Sequence, residues 1–236
     1  MVSVAPIRYL GLGLALCLGA AACGDEKKPR IIAHRALGIG DVGENRPRNV
    51  ARLMSAGFGV EIDIRGDGRR PFTLGHLSPN GHTLREVFDE ILAVWKPSFA
   101  GRILVLDVSN DSGDQVSDGI IDFLYEEMLG TELEQLEVII QSSNEETLAR
   151  MREAQRQESS RLRISLAITY WIAPEYTTAY WIDLVSTNVR EIGSLPHPKP
   201  LLLFGIDTRA SYREAVDSRN TVVGLLTDHP RRAAQF

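Results

Sequence analysis

This sequence has no excess of positive charge: 26 Lys and Arg stand against 31 Asp and Glu, a formal net charge of −5. A partner held by phosphate-backbone electrostatics selects a basic face, so nucleic acid is excluded as an expected partner. Aromatic residues make up only 7% of the chain, and it has neither internal repeats nor low-complexity runs. Propellers, solenoids and long disordered tails are thereby set aside. No G-x-G-x-x-G turn follows the first apolar run, which removes the dinucleotide-binding form of an open α/β sheet. Cysteine is equally scarce, with Cys17 and Cys23 the two in 236 residues. What remains is a 44% apolar, 24% charged chain with material for one sizeable core and no evident need of a partner subunit, so a monomer is expected.

The first thirty residues read as targeting sequence rather than fold. Arg8 supplies a positive start, residues 9–22 are an apolar run too short for a comfortable membrane span, and Ala20, Ala21 and Ala22 precede Cys23. This pattern predicts a cleaved signal peptide over residues 1–22, of the bacterial lipoprotein type, with Cys23 as the acylated first residue of the mature chain. Cleavage would discard Cys17 and leave Cys23 alone, so no intramolecular disulfide forms; an unpaired N-terminal Cys in an exported protein is accounted for by lipidation. Residues 23–30 then form the anchor and a polar tether, and the expected location is the exported face of a membrane.

From residue 31 to residue 236, short apolar runs alternate with amphipathic stretches, as in repeated βα units around a parallel sheet. Eight main strands are predicted, at residues 31–33, 59–64, 102–106, 136–140, 163–168, 182–185, 201–206 and 222–226, with a short extra strand at 72–74. Helices are predicted at 46–55, 84–94, 115–128 and 145–155, the last opened by Asn144 as N-cap. Pro196, Pro198 and Pro200 leave little room for a helix between the sixth and seventh strands. Eight parallel strands in this length predict a small TIM (β/α)8 barrel, with an open doubly wound sheet as the rival.

TIM-barrel chemistry sits at the C-terminal ends of the strands, and the polar residues predicted there cluster. The first strand ends at His34-Arg35, the second carries Glu61 and Asp63, the short extra strand leads to His76, the third ends at Asp107 and the fourth at Gln141. Glu61 and Asp63, two apart on a strand, project from one face. Two inward carboxylates repel unless something positive lies between them, either Arg35 and Arg65 or a divalent cation. With Asp107 added, three carboxylates offer oxygen ligands to a hard ion such as Ca²⁺ or Mg²⁺. His34 and His76 beside such a cluster, with Arg35 for phosphate oxygens, fit phosphoryl transfer by an acid and base pair. His82 is a weaker substitute for His76, His197 reads as surface, and His229 as a loop-shaping residue.

These residues resemble the glycerophosphodiester phosphodiesterase family, within the phosphoinositide phospholipase C-like phosphodiesterases. The resemblance runs from about Ile31 to Pro230 through His34-Arg35, Glu44-Asn45, Glu61-Ile62-Asp63, Leu74-Gly75-His76, Thr83-Leu84-Arg85-Glu86-Val87, Ile139-Ile140-Gln141-Ser142-Ser143-Asn144 and Thr227-Asp228-His229-Pro230. It implies a TIM barrel hydrolysing glycerol-containing phosphodiesters, small or lipid-borne, in which a neighbouring substrate hydroxyl attacks phosphorus. It also implies His34 and His76 as the catalytic pair, Arg35 and Glu44 at the substrate, and Glu61, Asp63 and Asp107 as ligands of a divalent cation.

The sequence departs from the family pattern at four places: Ala36 replaces the glycine after His-Arg, Leu77 the aspartate after the second histidine, Asp107 a glutamate, and Ser109 a lysine. The shorter Asp107 shifts the metal oxygens and the lost lysine removes a positive charge from the phosphate site. Two other functions therefore accompany the hydrolase: a non-catalytic lipoprotein that binds a phosphodiester, and a metal-independent lyase of the phospholipase C kind. Phe204 stands near the expected mouth, and Tyr170, Trp171, Tyr176, Tyr180 and Trp181 crowd the loop after the fifth strand, as a lipid-facing patch or as ordinary packing.

Overall fold

The computed structural model describes residues 28–37, 43–65, 70, 72–108, 113–158, 161–170, 182–192 and 199–236. The predicted signal peptide, Cys23, Ser109, Trp171, Tyr176, Tyr180, Trp181 and His197 lie outside the described residues, as does the Tyr170 side chain. No helix of the described residues is long and apolar enough to cross a membrane.

Nine strands are present: β1 (Arg30–Ala33), β2 (Gly59–Arg65), β3 (Thr73–Leu74), β4 (Ile103–Val108), β5 (Glu137–Ser142), β6 (Arg163–Tyr170), β7 (Leu184–Asn188), β8 (Leu201–Phe204) and β9 (Val222–Thr227). Eight are parallel and follow one another around a ring, β1, β2, β4, β5, β6, β7, β8, β9, and back to β1. β1 closes the barrel by pairing Ile32 with Gly59 on one side and with Leu226 on the other. β3 is the exception, an antiparallel addition to the end of β2 through Ile64 with Leu74 and Arg65 with Thr73.

The strands are apolar on both faces because each lies between the lumen and the helices. Outward residues such as Val60, Ile62, Leu104, Leu106, Val138 and Ile140 join the main core beneath the helical layer. Inward residues Ile32, Val105, Ile139, Ala167, Leu184 and Leu202 form a second apolar cluster that fills the barrel. Ile32 fits there because Gly59 and Gly224 flank it: a Cβ at Gly224 would stand 2.5 Å from Ile32 Cδ1, and one at Gly59 3.0 Å from Ile32 Cγ1. The packed lumen separates two polar ends: Arg30, Glu137 and Arg163 form ion pairs at the strands' N-terminal ends, and the carboxylates of Asp63 and Asp107 lie toward the C-terminal ends.

The helices α1 (Pro47–Ser55), α2 (Leu84–Ala93), α3 (Gly113–Met128) and α4 (Glu145–Gln157) match the predicted ones to within two residues at either end. Thr83 and Glu86 form a reciprocal capping box at the start of α2, and Asn144 accepts from the Thr147 N–H at the start of α4. Several elements differ from the sequence reading: β6 runs on to Tyr170 rather than ending at residue 168, and β7 lies at Leu184–Asn188 rather than 182–185. β8 stops at Phe204 rather than at residue 206, because Gly205 turns the chain at φ +81°. A further helix, α5 (Arg209–Val216), follows with Thr208 as its N-cap, and α6 (Pro230–Ala233) closes the chain after β9.

Candidate active site

The site is assembled at the C-terminal ends of β1, β2 and β4, with contributions from the segments after β3 and β9. β1 runs directly into a tight turn over His34–Ala36, where Arg35 and Ala36 adopt left-handed φ values of 52° and 53°. Non-glycine residues pay about 1–2 kcal/mol for that conformation. The turn aims the Arg35 N–H at the Glu61 carboxylate, 2.6 Å to Oε2, and its carbonyl at the Asn45 N–H, 2.8 Å away. The glycine usual in the resembled family at position 36 is explained by this geometry; here alanine occupies the same left-handed position.

Asp63 is clamped by Asn45. Its backbone N–H donates to Asn45 Oδ1 at 2.9 Å, and Asn45 Nδ2 donates to its Oδ2 at 2.8 Å, with Asn45 fully buried. Asn45 itself stands at φ 55°, a conformation asparagine tolerates better than most residues. Asn80 holds this loop in turn, donating from Nδ2 to the Asn45 carbonyl at 3.1 Å. His76 reaches the cluster through Gly75, whose φ of 143° and distance to Ser78 admit no side chain: a Cβ there would lie 2.0 Å from the Ser78 carbonyl oxygen.

Both histidines are held at Nδ1 by a carboxylate. His34 Nδ1 lies 2.8 Å from Asp228 Oδ1, and His76 Nδ1 lies 3.0 Å from Asp63 Oδ1. Their Nε2 atoms face the shared mouth, that of His34 at 4.0 Å from Glu61 Oε2 and that of His76 at 2.9 Å from Arg35 Nη2. A guanidinium only donates, so His76 Nε2 is the acceptor and its proton sits on Nδ1, toward Asp63. The Arg35 guanidinium also reaches Glu44 Oε1 at 3.3 Å and has its Nε 3.9 Å from Asp63 Oδ2. Arg65 Nε donates to the His76 carbonyl at 2.6 Å and so holds the backbone of that histidine.

Glu61, Asp63 and Asp107 converge, each offering one carboxylate oxygen within 4.8 Å of the other two. Asp63 and Asp107 are register partners across β2 and β4. Asp107 Oδ2 accepts from Gln141 Nε2 at 2.9 Å, which makes Gln141 part of the cluster. Burial pushes the Glu61 carboxyl up to about 8 against the pull of His34, and the charges of Asp63 and Asp107 push it the same way. Asp107 is raised to about 6, again by burial first and then by Asp63. Burial disfavours the His34 cation, yet the Asp228 hydrogen bond and the Glu61 charge outweigh it and raise that group to about 9. Asp228 moves the opposite way, lowered by its hydrogen bond to His34.

The donor set fits a hard divalent cation. It is oxygen only, it is anionic, and one of its atoms, Glu61 Oε1, is buried with no hydrogen-bond partner. Arg35 meets Glu61 through its backbone N–H and leaves that second oxygen unpaired.

All seven described residues assigned to the site from sequence, His34, Arg35, Glu44, Glu61, Asp63, His76 and Asp107, thus fall at one end of the barrel. His82 does not join them: its Nδ1 is 3.6 Å from Glu86 Oε2 on α2. His229 precedes α6, and its N–H donates to Thr227 Oγ1 at 3.0 Å, a loop-forming contact. Leu77, where the resembled family has aspartate, is 84% exposed beside His76. Sequence reasoning gave no role to Asp228 or Asn45, although both lie in quoted motifs; two histidines in search of an orienting carboxylate were the available signal for Asp228.

No protein-family model matches this chain, and no curated protein matches it in sequence. Solved structures do match. A protein of Silicibacter pomeroyi assigned as a glycerophosphoryl diester phosphodiesterase superposes with a TM-score of 0.62, at 14% identity, over 88% of this chain and 92% of its own. A glycerophosphodiester phosphodiesterase of Agrobacterium tumefaciens superposes with a TM-score of 0.53, also at 14% identity, over 88% of this chain and 98% of its own. The chain is a closed eight-stranded parallel TIM barrel of the same fold as these glycerophosphodiester phosphodiesterases.

Proposed function

We propose that this protein is a phosphoric diester hydrolase that cleaves glycerophosphodiesters or related phospholipid head-group diesters, with His76 as base and His34 as acid. The observation that carries this reading is the pair of carboxylate-held imidazoles, Asp228 with His34 and Asp63 with His76, whose Nε2 atoms both face the mouth beside Arg35. A pure binding site has no use for two oriented proton carriers.

In the first step a hydroxyl next to the phosphoester gives its proton to His76 Nε2 as its oxygen bonds to phosphorus. The bond from phosphorus to the other alcohol breaks, and that oxygen takes the proton from His34 Nε2, leaving a cyclic phosphate. In the second step water opens the ring, its proton passing to His34 while His76 returns its own to the departing ring oxygen. Asp228 holds the imidazolium of His34, and the carboxylate of Asp63 holds His76 so that Nε2 carries the lone pair. Arg35, whose guanidinium reaches both Glu44 Oε1 and His76 Nε2, binds the phosphate oxygens as it exchanges His76 for substrate. A hard divalent cation held by Glu61, Asp63 and Asp107 supplies further neutralisation of phosphate charge when bound. The barrel works, in this proposal, as an exported lipoprotein tethered through acylated Cys23, which keeps it at the membrane that supplies head-group diesters.

The test is hydrolysis of a panel of glycerophosphodiesters and lysophospholipids with Ca²⁺, Mg²⁺ or chelator. Metal-dependent turnover that disappears in His34→Ala and in Glu61→Gln supports the reading. Absence of turnover by folded protein across the panel replaces it with a phosphodiester-binding protein, and turnover that survives chelator replaces it with a metal-independent lyase. Incorporation of labelled fatty acid, lost in Cys23→Ser, tests the anchor.

A further inference from the structure

The floor of the barrel, where the strands begin, holds an open recess of about 490 Å³ that the proposed reaction does not use. Arg30, Glu137 and Arg163 stand on its rim and share their strand faces with Ile32, Ile139 and Ala167 of the lumen, so all three point toward the barrel axis. Ile139, Leu184 and Val223 form an apolar wall behind them. Glu137 is paired through one oxygen with Arg30 and through the other with Arg163 Nη1 at 3.5 Å. Arg30 Nη1 also donates to the Gly101 carbonyl at 3.1 Å, and Arg163 Nη2 to that of Gln135 at 2.7 Å, which fixes both guanidiniums at the rim. Their side chains stay 41% and 54% exposed. One carboxylate between two guanidiniums leaves a positive charge over. Asp183, the other acid of the recess, does not cancel it, because its Oδ2 accepts from Arg152 Nη2 and from the Leu166 N–H.

The same end receives the chain from its N-terminal segment. β1 starts at Arg30, seven residues after Cys23. A chain of that length reaches at most about 25 Å when fully extended. To lay the mouth on the bilayer that holds Cys23, it would have to pass outward around the helical layer, about 15 Å, and then climb about 20 Å along the strands. That path is longer than the tether, whereas the floor meets the bilayer with the tether slack. A cationic rim over an apolar wall matches the boundary of a bilayer, where lipid phosphate gives way to hydrocarbon. We propose that the barrel floor lies on the anchoring bilayer, with the phosphate of an anionic phospholipid between Arg30 and Arg163 and its adjoining carbons against Ile139, Leu184 and Val223. The mouth then opens away from that bilayer, and diesters enter from the aqueous side. This docking rests on the acylation of Cys23 proposed above and on no catalytic residue.

The test places the acylated full chain on phosphatidylcholine vesicles. With Cys17 removed alongside the signal peptide and Cys23 acylated, a cysteine introduced as Ala100→Cys on the floor or Leu77→Cys at the mouth is the one free thiol for a fluorophore. Both positions are exposed. The quencher is a nitroxide near the head of the acyl chain of phosphatidylglycerol or of phosphatidylcholine, at equal mole fraction. The floor probe is expected to be quenched about fivefold more than the mouth probe, and about threefold more by the labelled anionic lipid than by the zwitterionic one. Arg30→Gln/Arg163→Gln removes the lipid preference, and Arg30→Lys/Arg163→Lys retains it, since charge holds the phosphate. Equal or stronger quenching at the mouth, or quenching at neither probe, overturns the docked floor. A floor probe indifferent to lipid charge, or a Gln pair that keeps the preference, overturns the phosphate site. The wild-type contrast between two probes and two lipids decides both points without any rim variant. Acylation is read separately by mass, and a chain that carries no lipid overturns the anchor and with it the docking. Hydrolysis enters none of these measurements, so an inactive barrel leaves the outcome intact.

Discussion

The two sides of the barrel mouth are built on opposite principles. The side formed by β1, β2, β4 and the ends of β3 and β9 is charged, with Glu61, Asp63, Asp107, Asp228, Arg35, His34 and His76 in mutual contact or near it. It is also strained: of the four described non-glycine residues with positive φ, Arg35, Ala36 and Asn45 belong to this side, and the fourth, Phe72, packs against Phe123 in the core beneath the helices. The opposite side, from β5 to β8, presents neutral groups on regular strands, and its left-handed turn after β8 is made by Gly205. Strain and uncompensated charge collect on the side that holds the proposed acid and base pair, where the surrounding structure must fix conformations that cost energy locally.

The sharpest way to break this comparison is to remove the proton carriers. His76→Ala and His34→Ala are each expected to lower kcat by about 10²–10⁴-fold, the range for a positioned acid or base. The assigned roles separate when the leaving group is varied. With p-nitrophenol as leaving group no proton need be delivered, so His34→Ala recovers most of its rate and His76→Ala does not. Equal losses on both substrates would remove the division of labour.

The charge on that side is also legible in stability. Glu61 and Asp107 hold their protons to about 8 and about 6, above their ordinary values of 4.5 and 3.8. For an acid raised on folding, the folded state binds more protons than the unfolded one, so stability falls as pH climbs between the two values. His34, raised from 6.5 to about 9, contributes stability that is complete below 6.5 and lost as pH passes through about 9. All three act in the same direction. The metal-free protein is expected to lose on the order of a few kcal/mol between pH 5 and pH 9, measured by chemical denaturation in chelator. Added Ca²⁺ or Mg²⁺ should restore more stability at pH 8 than at pH 6, because it cancels the carboxylate repulsion. Glu61→Gln should be more stable than the wild type without metal at pH 8 and indifferent to the cation. A flat pH profile in chelator would mean that the three carboxylates are already neutralised from within the chain.

Asp228→Asn probes a positioning group. It keeps the shape and removes the charge that favours the His34 imidazolium, so kcat is expected to fall by roughly 10–100-fold and the pH profile's alkaline limb to move to lower pH. A loss confined to KM would place Asp228 at the substrate instead.

The charged side was far more legible in the sequence than the neutral one. Apolar runs with carboxylates and histidines at their ends mark strand termini in a barrel whichever residues fill the loops, and Glu61 and Asp63 share a face by the two-residue period alone. Asp228 and Asn45 escaped because their roles depend on partners 194 and 18 residues away, His34 and Asp63, and no local pattern encodes such a pairing. Ser186 and Thr169, two of the neutral groups opposite, are invisible for a different reason. Serine and threonine in a strand are unremarkable until the register shows that they face the lumen and lack partners. Helix α5 was missed because its one buried residue, Ala215, leaves little of the apolar periodicity by which helices are recognised.

The smallest expected effect tests the strain itself. Ala36 sits at φ 53° with its methyl buried, so Ala36→Gly exchanges two opposing contributions. Release of the left-handed conformation gains about 1–2 kcal/mol, while the lost methyl costs about 0.8 kcal/mol and the added freedom of the unfolded glycine about 0.5–1 kcal/mol. The net change is expected to lie within about 1 kcal/mol of zero by denaturant titration, with kcat unaltered, because the turn is held at both ends by the bonds from the Arg35 N–H to Glu61 and from the Asn45 N–H to the Arg35 carbonyl. Ala36→Val sharpens the result: a β-branched residue in the left-handed region, with no space around it, should cost several-fold more than the glycine exchange and lower kcat by displacing Arg35. If valine is accepted as readily as glycine, the turn is not under strain and the charged side owes its geometry to its ion pairs alone.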